Sequence, residues 1–223
     1  MCGRFNLTAT GEEVAEQLGV ADVPMLAPRY NIAPTQPVAA VRLNPGSGRK
    51  ELTHFYWGLI PAWAKDTSMA ARMINARAET VAEKPAFRSA FKYRRCLIPA
   101  TGFYEWQKVD GKKQPYHIYP TDGKPMVFAG LWEHWQSPDG SEIDSCTVLT
   151  TTANELMAPL HERMPVILQP TDYDTWLYTN AKGVDGLQHL FRPAPAGFLT
   201  AYPVAPIVNS PFNDTPQCLE RLA

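Results

Sequence analysis

The sequence predicts one α+β domain over residues 1–223, built on an antiparallel, barrel-like β-sheet with short flanking helices. Its length of 223 residues suits a single mixed domain, and no linker or internal repeat divides it. A composition of 45% hydrophobic and 19% charged residues is globular and excludes a coiled coil. The 21 prolines are spread along the whole chain, at roughly twice the usual share of ~5%. They favour many short strands and turns over long helices.

The first part of the chain predicts a short helix and a hairpin. Thr10 and Glu13 fit a capping box ahead of a helix over 11–19. Residues 30–34 form a turn-rich segment, which a strand over 38–41 follows. A turn at Asn44-Pro45-Gly46 then leads into a second strand over 51–57.

The rest of the chain predicts mostly strands. Residues 78–91, rich in Ala, Glu and Lys, predict a helix. A hairpin turn is expected at Val109-Asp110-Gly111. Thr171 is expected to cap a helix through Trp176, and another helix covers 184–191. Apolar or β-branched runs predict the strands 95–99, 116–119, 127–131, 146–151, 166–168 and 198–204.

Cysteine usage and the N-terminus predict a cytoplasmic protein without membrane contact. No run approaches the ~18 apolar residues of a membrane helix, and the first residues lack the pattern of a signal peptide. The four cysteines should therefore be reduced thiols. Cys96 and Cys146 lie in apolar runs and are expected to be small buried hydrophobes. No cysteine or histidine spacing fits a metal site, so no metal is expected.

The charge is unevenly distributed. The net charge is −1, which alone argues against a nucleic-acid partner. Residues 72–113, however, hold ten basic and four acidic side chains, a balance of +6. We call residues 72–113 the basic stretch. It is either an electrostatic footprint for a polyanion or a solvated face.

Cys2 has chemistry that no internal cysteine has. It is small enough that we expect Met1 to be removed, which leaves a free 1,2-aminothiol. Its α-amine has a reference pKa of ~7.7–8.0, against ~10.4 for lysine, and its thiol is a competent nucleophile. Together they can capture an aldehyde, first as an imine and then as a five-membered thiazolidine. The alternatives are an N-terminal nucleophile hydrolase and a cysteine at this position by chance.

Four other residues are candidates for proton transfer, positioning or stacking. Glu105 is flanked by aromatic residues and suits proton transfer, or else faces water from a strand. His161 lies in a loop ahead of a strand and is either catalytic or structural. Asn75 either orients a substrate or makes an Asx turn. Trp63, like Trp57, either stacks on bases or packs in the core.

Six motifs occur in an order that resembles the SOS response-associated peptidase (SRAP) family, and they span residues 2 to 165. They are Cys2-Gly3-Arg4-Phe5, Arg29-Tyr30-Asn31-Ile32-Ala33-Pro34, Trp57-Gly58-Leu59-Ile60-Pro61, Ile74-Asn75-Ala76-Arg77-Ala78-Glu79-Thr80, Gly102-Phe103-Tyr104-Glu105-Trp106 and His161-Glu162-Arg163-Met164-Pro165.

The resemblance implies a protein that binds abasic sites in single-stranded DNA and crosslinks to them through a thiazolidine at Cys2. Glu105 would transfer protons during imine formation and ring closure. His161 would serve sugar ring opening and crosslink reversal, and Asn75 would hold the reacting groups. The family also carries a peptidase label, tied to removal of its own Met1, and a possible lyase activity.

The resemblance also implies a DNA-binding set. Arg4 and Arg77 match residues near the DNA phosphates, and Arg163 occupies a similar basic position. Trp63, with Pro34, matches the region that props the strand open. No cofactor or metal is implied, and we expect a cytoplasmic monomer that associates with the nucleoid when bound to DNA.

The sequence departs from the family at Met164, where a basic residue is often found, so the resemblance implies no phosphate contact at that position. Two other functions stay open. One is a cysteine peptidase that uses Cys2 and His161 on protein substrates. The other is a non-catalytic single-strand binder that uses Trp63 and the basic stretch.

Overall fold

A closed five-stranded barrel and a second five-stranded sheet make up the fold. The computed structural model describes residues 2–22, 25–180 and 182–222; Met1, whose removal the sequence predicts, lies outside them. The strands are β1 Phe5–Leu7, β2 Arg29–Ile32, β3 Pro37–Leu43, β4 Lys50–Trp57, β5 Asn75–Arg77, β6 Arg95–Ala100, β7 Gly102–Val109, β8 Lys112–Pro120, β9 Met126–Gln136, β10 Glu142–Thr152, β11 Arg163–Pro165, β12 Ile167–Leu168 and β13 Leu199–Pro203. The α-helices are α1 Gly11–Leu18, α2 Arg88–Tyr93 and α3 Tyr173–Tyr178. Short 3₁₀ helices cover Ala70–Arg72, Ala78–Thr80, Pro170–Asp172, Val184–Phe191, Pro206–Asn209 and Pro216–Leu219.

The barrel closes because β10 pairs with both β4 and β9. Its order is β10-β4-β3-β6-β9, and β9 returns to β10. The pairing is antiparallel except that β10 runs parallel to β4, with Ser145 opposite Tyr56. β5 adds to β10, also in parallel. The predicted α+β class with a barrel-like sheet is thus confirmed, with these two parallel pairings as the exceptions.

The second sheet, in the order β13-β8-β7-β1-β2, packs on the barrel through aromatic rings. Phe5 from β1 and Phe103 from β7 both meet Phe128 of the barrel edge-to-face, at 5.8 and 6.1 Å between ring centroids. Such pairs add about 0.5–1.5 kcal/mol each beyond the area they bury. They fix β1, and with it the chain start that carries Cys2.

The elements with clear local signals form as predicted. Thr10 Oγ1 accepts from Glu13 N at 3.2 Å, and the Glu13 carboxylate accepts from Thr10 N at 2.8 Å, which is the expected capping box of α1. β3 and β4 form the predicted hairpin. Asp110 and Gly111 both have positive φ, 49° and 77°, as the tight turn between β7 and β8 requires.

Three local predictions were wrong in whole or in part. The predicted helix over 78–91 is split into a 3₁₀ turn and α2, because Pro85 has no N–H and restricts the residue before it. Thr171 does not cap α3; it lies inside a 3₁₀ turn. Residues 29–32 form β2 rather than a turn, because they pair antiparallel with β1, with Phe5 opposite Ile32.

None of the helices in the described ranges has both the length and the apolar character needed to cross a membrane.

Candidate active site

The residues that precede β1 continue its pairing with β7 and so place Cys2 beside that strand. β1 is antiparallel to β7, and Tyr104 N donates to Arg4 O at 2.9 Å, so the ladder continues toward the chain start. Cys2 thereby comes under the electrostatic influence of the Glu105 carboxylate. Both residues are buried. The structure thus brings together two of the predicted catalytic residues.

Asn75 holds the main chain of Cys2. β5 lies parallel to β10, with Asn75 opposite Val148, and Trp57 Nε1 donates to Ile74 O at 2.9 Å just before it. From this fixed strand, Asn75 Nδ2 donates to Cys2 O at 2.9 Å. The Asn75 Oδ1 atom is buried without a hydrogen-bond partner among the described residues. A buried acceptor of this kind suits a group of a bound substrate.

The Cys2 thiol is neutral at rest. Burial raises the pKa of the Cys2 thiol far above its usual range, and the Glu105 carboxylate adds to the rise. The backbone N–H of Arg4 opposes this only in part. Because the thiolate is the nucleophile, a base must take the proton when the sulfur attacks. Glu105 is the carboxylate whose charge acts on this thiol.

A cavity of about 470 Å³ adjoins Glu105. Its volume lies in the range of about 300–1,000 Å³ that is usual for ligand sites. Its basic walls suit an anionic ligand. The residues that line it are Arg4, Glu105, Trp106, Lys108, Lys113, His161 and Asn209, so three predicted site residues meet here.

His161 offers a hydrogen-bond donor to this cavity. It lies in the loop between β10 and β11, where His161 N donates to Met157 O at 2.8 Å. Its Nδ1 accepts from Arg163 N at 2.9 Å. A neutral imidazole that accepts at Nδ1 carries its proton on Nε2. The atom left for a ligand is therefore Nε2–H.

Arg4 is held by Asn31 and by residues 206–214, which we call the C-terminal segment. Arg4 Nη1 donates to Asn31 Oδ1 at 2.8 Å and to a backbone carbonyl of that segment at 2.7 Å. Its guanidinium lies 5.7 Å from the centre of the Trp106 ring. Trp106 Nε1 in turn donates to Asn209 Oδ1 at 2.7 Å. The C-terminal segment is thus a wall of the cavity.

The side chain of Asn31 anchors the C-terminal segment through hydrogen bonds. Its buried Nδ2 donates to the carbonyls of Val208, Ser210 and Asn213, at 3.2, 3.0 and 2.7 Å. Asp214 accepts from the backbone N–H of Asn31 at 2.9 Å. This role of Asn31 has no local signal in the sequence, because its partners lie about 180 residues away along the chain.

The guanidinium of Arg163 is used inside the protein. Its Nη1 and Nη2 donate to the two carboxylate oxygens of Glu79, at 2.6 and 2.8 Å, and Nη2 also donates to Thr150 O at 2.5 Å. The hydrogen bond from Arg163 lowers the pKa of Glu79. Contact between Arg163 and a DNA phosphate stays a prediction, and this geometry favours a role in holding β11 and His161.

The remaining predicted DNA-binding residues lie outside the cavity wall. Arg77 is exposed at the end of β5, two residues after Asn75. Trp63 is 60% exposed in the loop after β4, whereas Trp57 is fully buried. Pro34 is half-buried and precedes a residue with positive φ. Their contacts with DNA stay predictions.

Four wall residues were not singled out as site residues from the sequence: Trp106, Lys108, Lys113 and Asn209. For the first three a signal existed. Side chains alternate along a strand, and the Asp110-Gly111 turn sets Lys108 opposite Lys113 on the same face. Asn209 offered none, because its place depends on the C-terminal segment folding back over β7.

The described residues include all four cysteines, so the structure tests the prediction that Cys96 and Cys146 are buried. All four cysteines are free and buried, which confirms the interpretation of Cys96 and Cys146 as buried residues. Within the described ranges, no cluster of three or more His, Cys, Asp or Glu side chains could hold a metal ion.

A family model described as SOS response associated peptidase (SRAP) matches residues 1–211. The chain belongs to the SRAP family. Over 224 aligned residues it is 43% identical to the abasic site processing protein YoqW of Bacillus subtilis, with 99% of each chain covered. It is 32% identical to the abasic site processing protein HMCES of Xenopus tropicalis, over 100% of this chain and 78% of that protein.

Solved structures share the SRAP fold of this chain. A crystal structure of a protein from Bacteroides thetaiotaomicron superposes with a TM-score of 0.87, at 26% identity and 100% coverage of both chains. One from Bordetella bronchiseptica superposes with a TM-score of 0.76 at 30% identity, over 92% of this chain and 100% of that one.

Proposed function

We propose that this SRAP protein binds abasic sites in single-stranded DNA and captures them covalently through Cys2. Its similarity to proteins named for abasic site processing supports the choice of lesion. The observation that carries the chemistry is the environment of Cys2. Asn75 donates a hydrogen bond to its carbonyl, and the charge of Glu105 raises the pKa of its thiol. Capture shields the lesion during the DNA damage response, in the cytoplasm and on the nucleoid.

Removal of Met1 supplies the first nucleophile. The new α-amine of Cys2 has a reference pKa of ~7.7–8.0, so a useful fraction is neutral near pH 7. Asn75 Oδ1, the buried acceptor without a partner among the described residues, binds an N–H of this amine. Its Nδ2 keeps the Cys2 carbonyl in place. The amine nitrogen is thereby aimed at one position in the cavity.

Sugar ring opening makes the aldehyde. The Glu105 carboxylate takes the proton of the C1′ hydroxyl as the bond from C1′ to the ring oxygen breaks, and the proton returns to that oxygen. Nε2–H of His161 donates to the ring oxygen as negative charge develops on it. The step is an isomerisation, so no atom is gained or lost.

Imine formation and ring closure follow on the same carbon. The Cys2 amine adds to the aldehyde. Glu105 then moves a proton from the nitrogen to the departing hydroxyl, so that the carbinolamine loses water and leaves the imine. The Cys2 sulfur then adds to the imine carbon while its proton passes, through Glu105, to the imine nitrogen. The product is a thiazolidine, and the sum of the steps releases one water. The raised pKa of the thiol is the reason that this last step needs a base.

We propose that Arg4 and Arg77 contact the DNA backbone near the lesion, and that Trp63 and Pro34 disfavour a continuing duplex. Arg4 already faces the cavity, and Arg77 is exposed on the strand that carries Asn75. Trp63 is an exposed aromatic side chain of the type that stacks on bases. Arg163 acts as a positioning residue for His161.

The peptidase alternative has weaker support. With Nδ1 accepting from Arg163 N, neutral His161 carries its proton on Nε2 and has no lone pair there for the Cys2 thiol. We therefore propose that peptidase chemistry is limited to removal of Met1. Lyase chemistry is a side reaction at the imine stage, and ring closure suppresses it because the thiazolidine no longer withdraws electrons as the imine does.

Intact mass before and after incubation with an abasic single-stranded oligonucleotide tests the proposal. We expect a starting mass that lacks Met1 and one adduct that has lost one water. Cys2→Ala should abolish the hydrolysis-resistant adduct, and Cys2→Ser should keep imine formation without ring closure. Cys218→Ala is the control that removes another buried thiol.

Three outcomes would contradict the proposal. An equally hydrolysis-resistant adduct with Cys2→Ala would exclude the thiazolidine. Equal affinity for intact and abasic strands, with no adduct, would favour the non-catalytic single-strand binder. Peptide turnover at enzymic rates that abasic DNA leaves unchanged would favour the peptidase.

A further inference from the structure

The hairpin formed by β7 and β8 presents two lysines side by side to the cavity. Lys108 on β7 is directly opposite Lys113 on β8. Because side chains alternate along a strand, Trp106 lies on the same face as Lys108. All three line the cavity that Glu105 adjoins. Arg4, the Trp106 ring and the lysine pair therefore form a row along the cavity wall, with the lysines at its outer end.

Neither lysine of this pair has a carboxylate partner among the described residues. By contrast, Arg94 pairs with Glu133. Like charges directly opposite each other destabilise an antiparallel pair of strands. Two adjacent ammonium groups on a cavity wall, with no ion pair to the part of the chain that the structure describes, form a site that an anion would stabilise.

We propose that Lys108 and Lys113 together bind one backbone phosphate of the single-stranded DNA. The proposal rests on the proposed function for its ligand. Lys108 lies three positions along β7 from Glu105, a distance of roughly 10 Å. The phosphate bound by the pair therefore belongs to a nucleotide next to the lesion and not to the reacting sugar. The strand backbone runs from the cavity along this face of the hairpin.

Lys112 provides a matched control. It is adjacent to Lys113 on the same strand, it is exposed, and the alternation of β8 turns it to the opposite face. It is not part of the cavity wall. Lys112→Gln thus removes the same charge from the same hairpin without touching the proposed phosphate site. Because Lys108 and Lys113 are also exposed, glutamine at either position should not disturb folding.

The test is equilibrium binding of an intact single-stranded oligonucleotide, measured by fluorescence anisotropy over a series of salt concentrations. The double variant K108Q/K113Q should bind about ten-fold more weakly at low salt, as expected for loss of a charge-assisted contact. The slope of log affinity against log salt should fall by about 0.7, the value for one phosphate of a single strand. K112Q should match the unmodified protein in slope and remain close to it in affinity.

A second measurement locates the phosphate. Abasic oligonucleotides with flanking nucleotides on only the 5′ side or only the 3′ side should differ in their sensitivity to K108Q/K113Q. The variant should slow adduct formation with one of them and leave the other unchanged. Equal slowing of both would overturn the idea of one phosphate beside the lesion.

Failure of this proposal differs from failure of the proposed function. Equal affinity and equal salt slopes for K108Q/K113Q, K112Q and the unmodified protein would overturn the lysine site even if the adduct forms. Absence of an adduct with the unmodified protein would overturn the covalent function. The binding of intact strands would still decide for or against the lysine pair in that case.

Discussion

Asn31→Ala is expected to destabilise the protein and to loosen the cavity wall at the same time. The side chain accepts one hydrogen bond from Arg4, and the two hydrogens of its Nδ2 serve three carbonyls of the C-terminal segment. This amounts to roughly three hydrogen bonds at about 1 kcal/mol each. We therefore expect a loss of about 3 kcal/mol in the free energy of unfolding.

Urea denaturation and thermal melting measure this loss. For a chain of this size, about 3 kcal/mol corresponds to a melting temperature lower by roughly 6–12 °C. Asn31→Asp separates the two halves of the effect, because it keeps the acceptor for Arg4 and removes both donors to the C-terminal segment. The exposed Gln136 provides the control, and Gln136→Ala should stay within about 0.5 kcal/mol of the unmodified protein.

The same variants connect stability with the site. Adduct formation by Asn31→Ala, measured at a temperature where it remains folded, should be slower because Arg4 and the Trp106 contact lose their support. A loss of less than about 1 kcal/mol on Asn31→Ala, together with an unchanged adduct rate, would refute the anchoring role of Asn31.

Three further predictions concern other parts of the fold. A methyl group on Gly102 would lie 2.1 Å from the His117 imidazole, so Gly102→Ala should lower the melting temperature clearly. Gly186→Ala is the control and should not lower it, because nothing lies near the added carbon. Burial lowers the pKa of His117 to about 4, so the unfolded chain takes up this proton first as the pH falls below ~6.5. Urea titrations should therefore show that about 3 kcal/mol of the free energy of unfolding is lost between pH 6.5 and 4. His117→Gln should remove this loss. An unchanged dependence of the free energy of unfolding on pH in that variant would refute the assignment. Arg163→Lys loses the bidentate pair with Glu79, so it should lower stability and the adduct rate while leaving the salt slope of DNA binding unchanged. A lower slope would instead indicate a phosphate contact.

The parts of the fold that follow from the sequence are those with short-range causes. The capping box of α1 needs only Thr10 and Glu13, and the turn between β7 and β8 needs only two residues that tolerate positive φ. The predicted helix over 78–91 failed for a reason that is also local. Pro85 interrupts a segment whose Ala, Glu and Lys residues otherwise favour a continuous helix.

The site was predictable only where one residue type carries the chemistry by itself. Cys2 stands out because an N-terminal cysteine can offer an aminothiol. Glu105, which could equally have faced water from a strand, took its expected role from the resemblance to the SRAP family. The wall made by the C-terminal segment did not stand out, because Asn31 and Asn209 are ordinary polar residues until the chain end folds over β2 and β7. Contacts across such sequence distances are set by tertiary packing rather than by local propensity.

The balance of +6 in the basic stretch overstates the charge that DNA can use. Arg95 is buried and donates to the carbonyls that end α2 and α3, and burial lowers its pKa to about 10. Arg94 is held by Glu133. These two guanidinium groups stabilise the fold and are not available to phosphates. Lys108 and Lys113, by contrast, line the cavity and form no ion pair within the described ranges. The salt dependence of DNA binding should therefore follow these cavity-lining lysines and not the number of basic residues in the stretch.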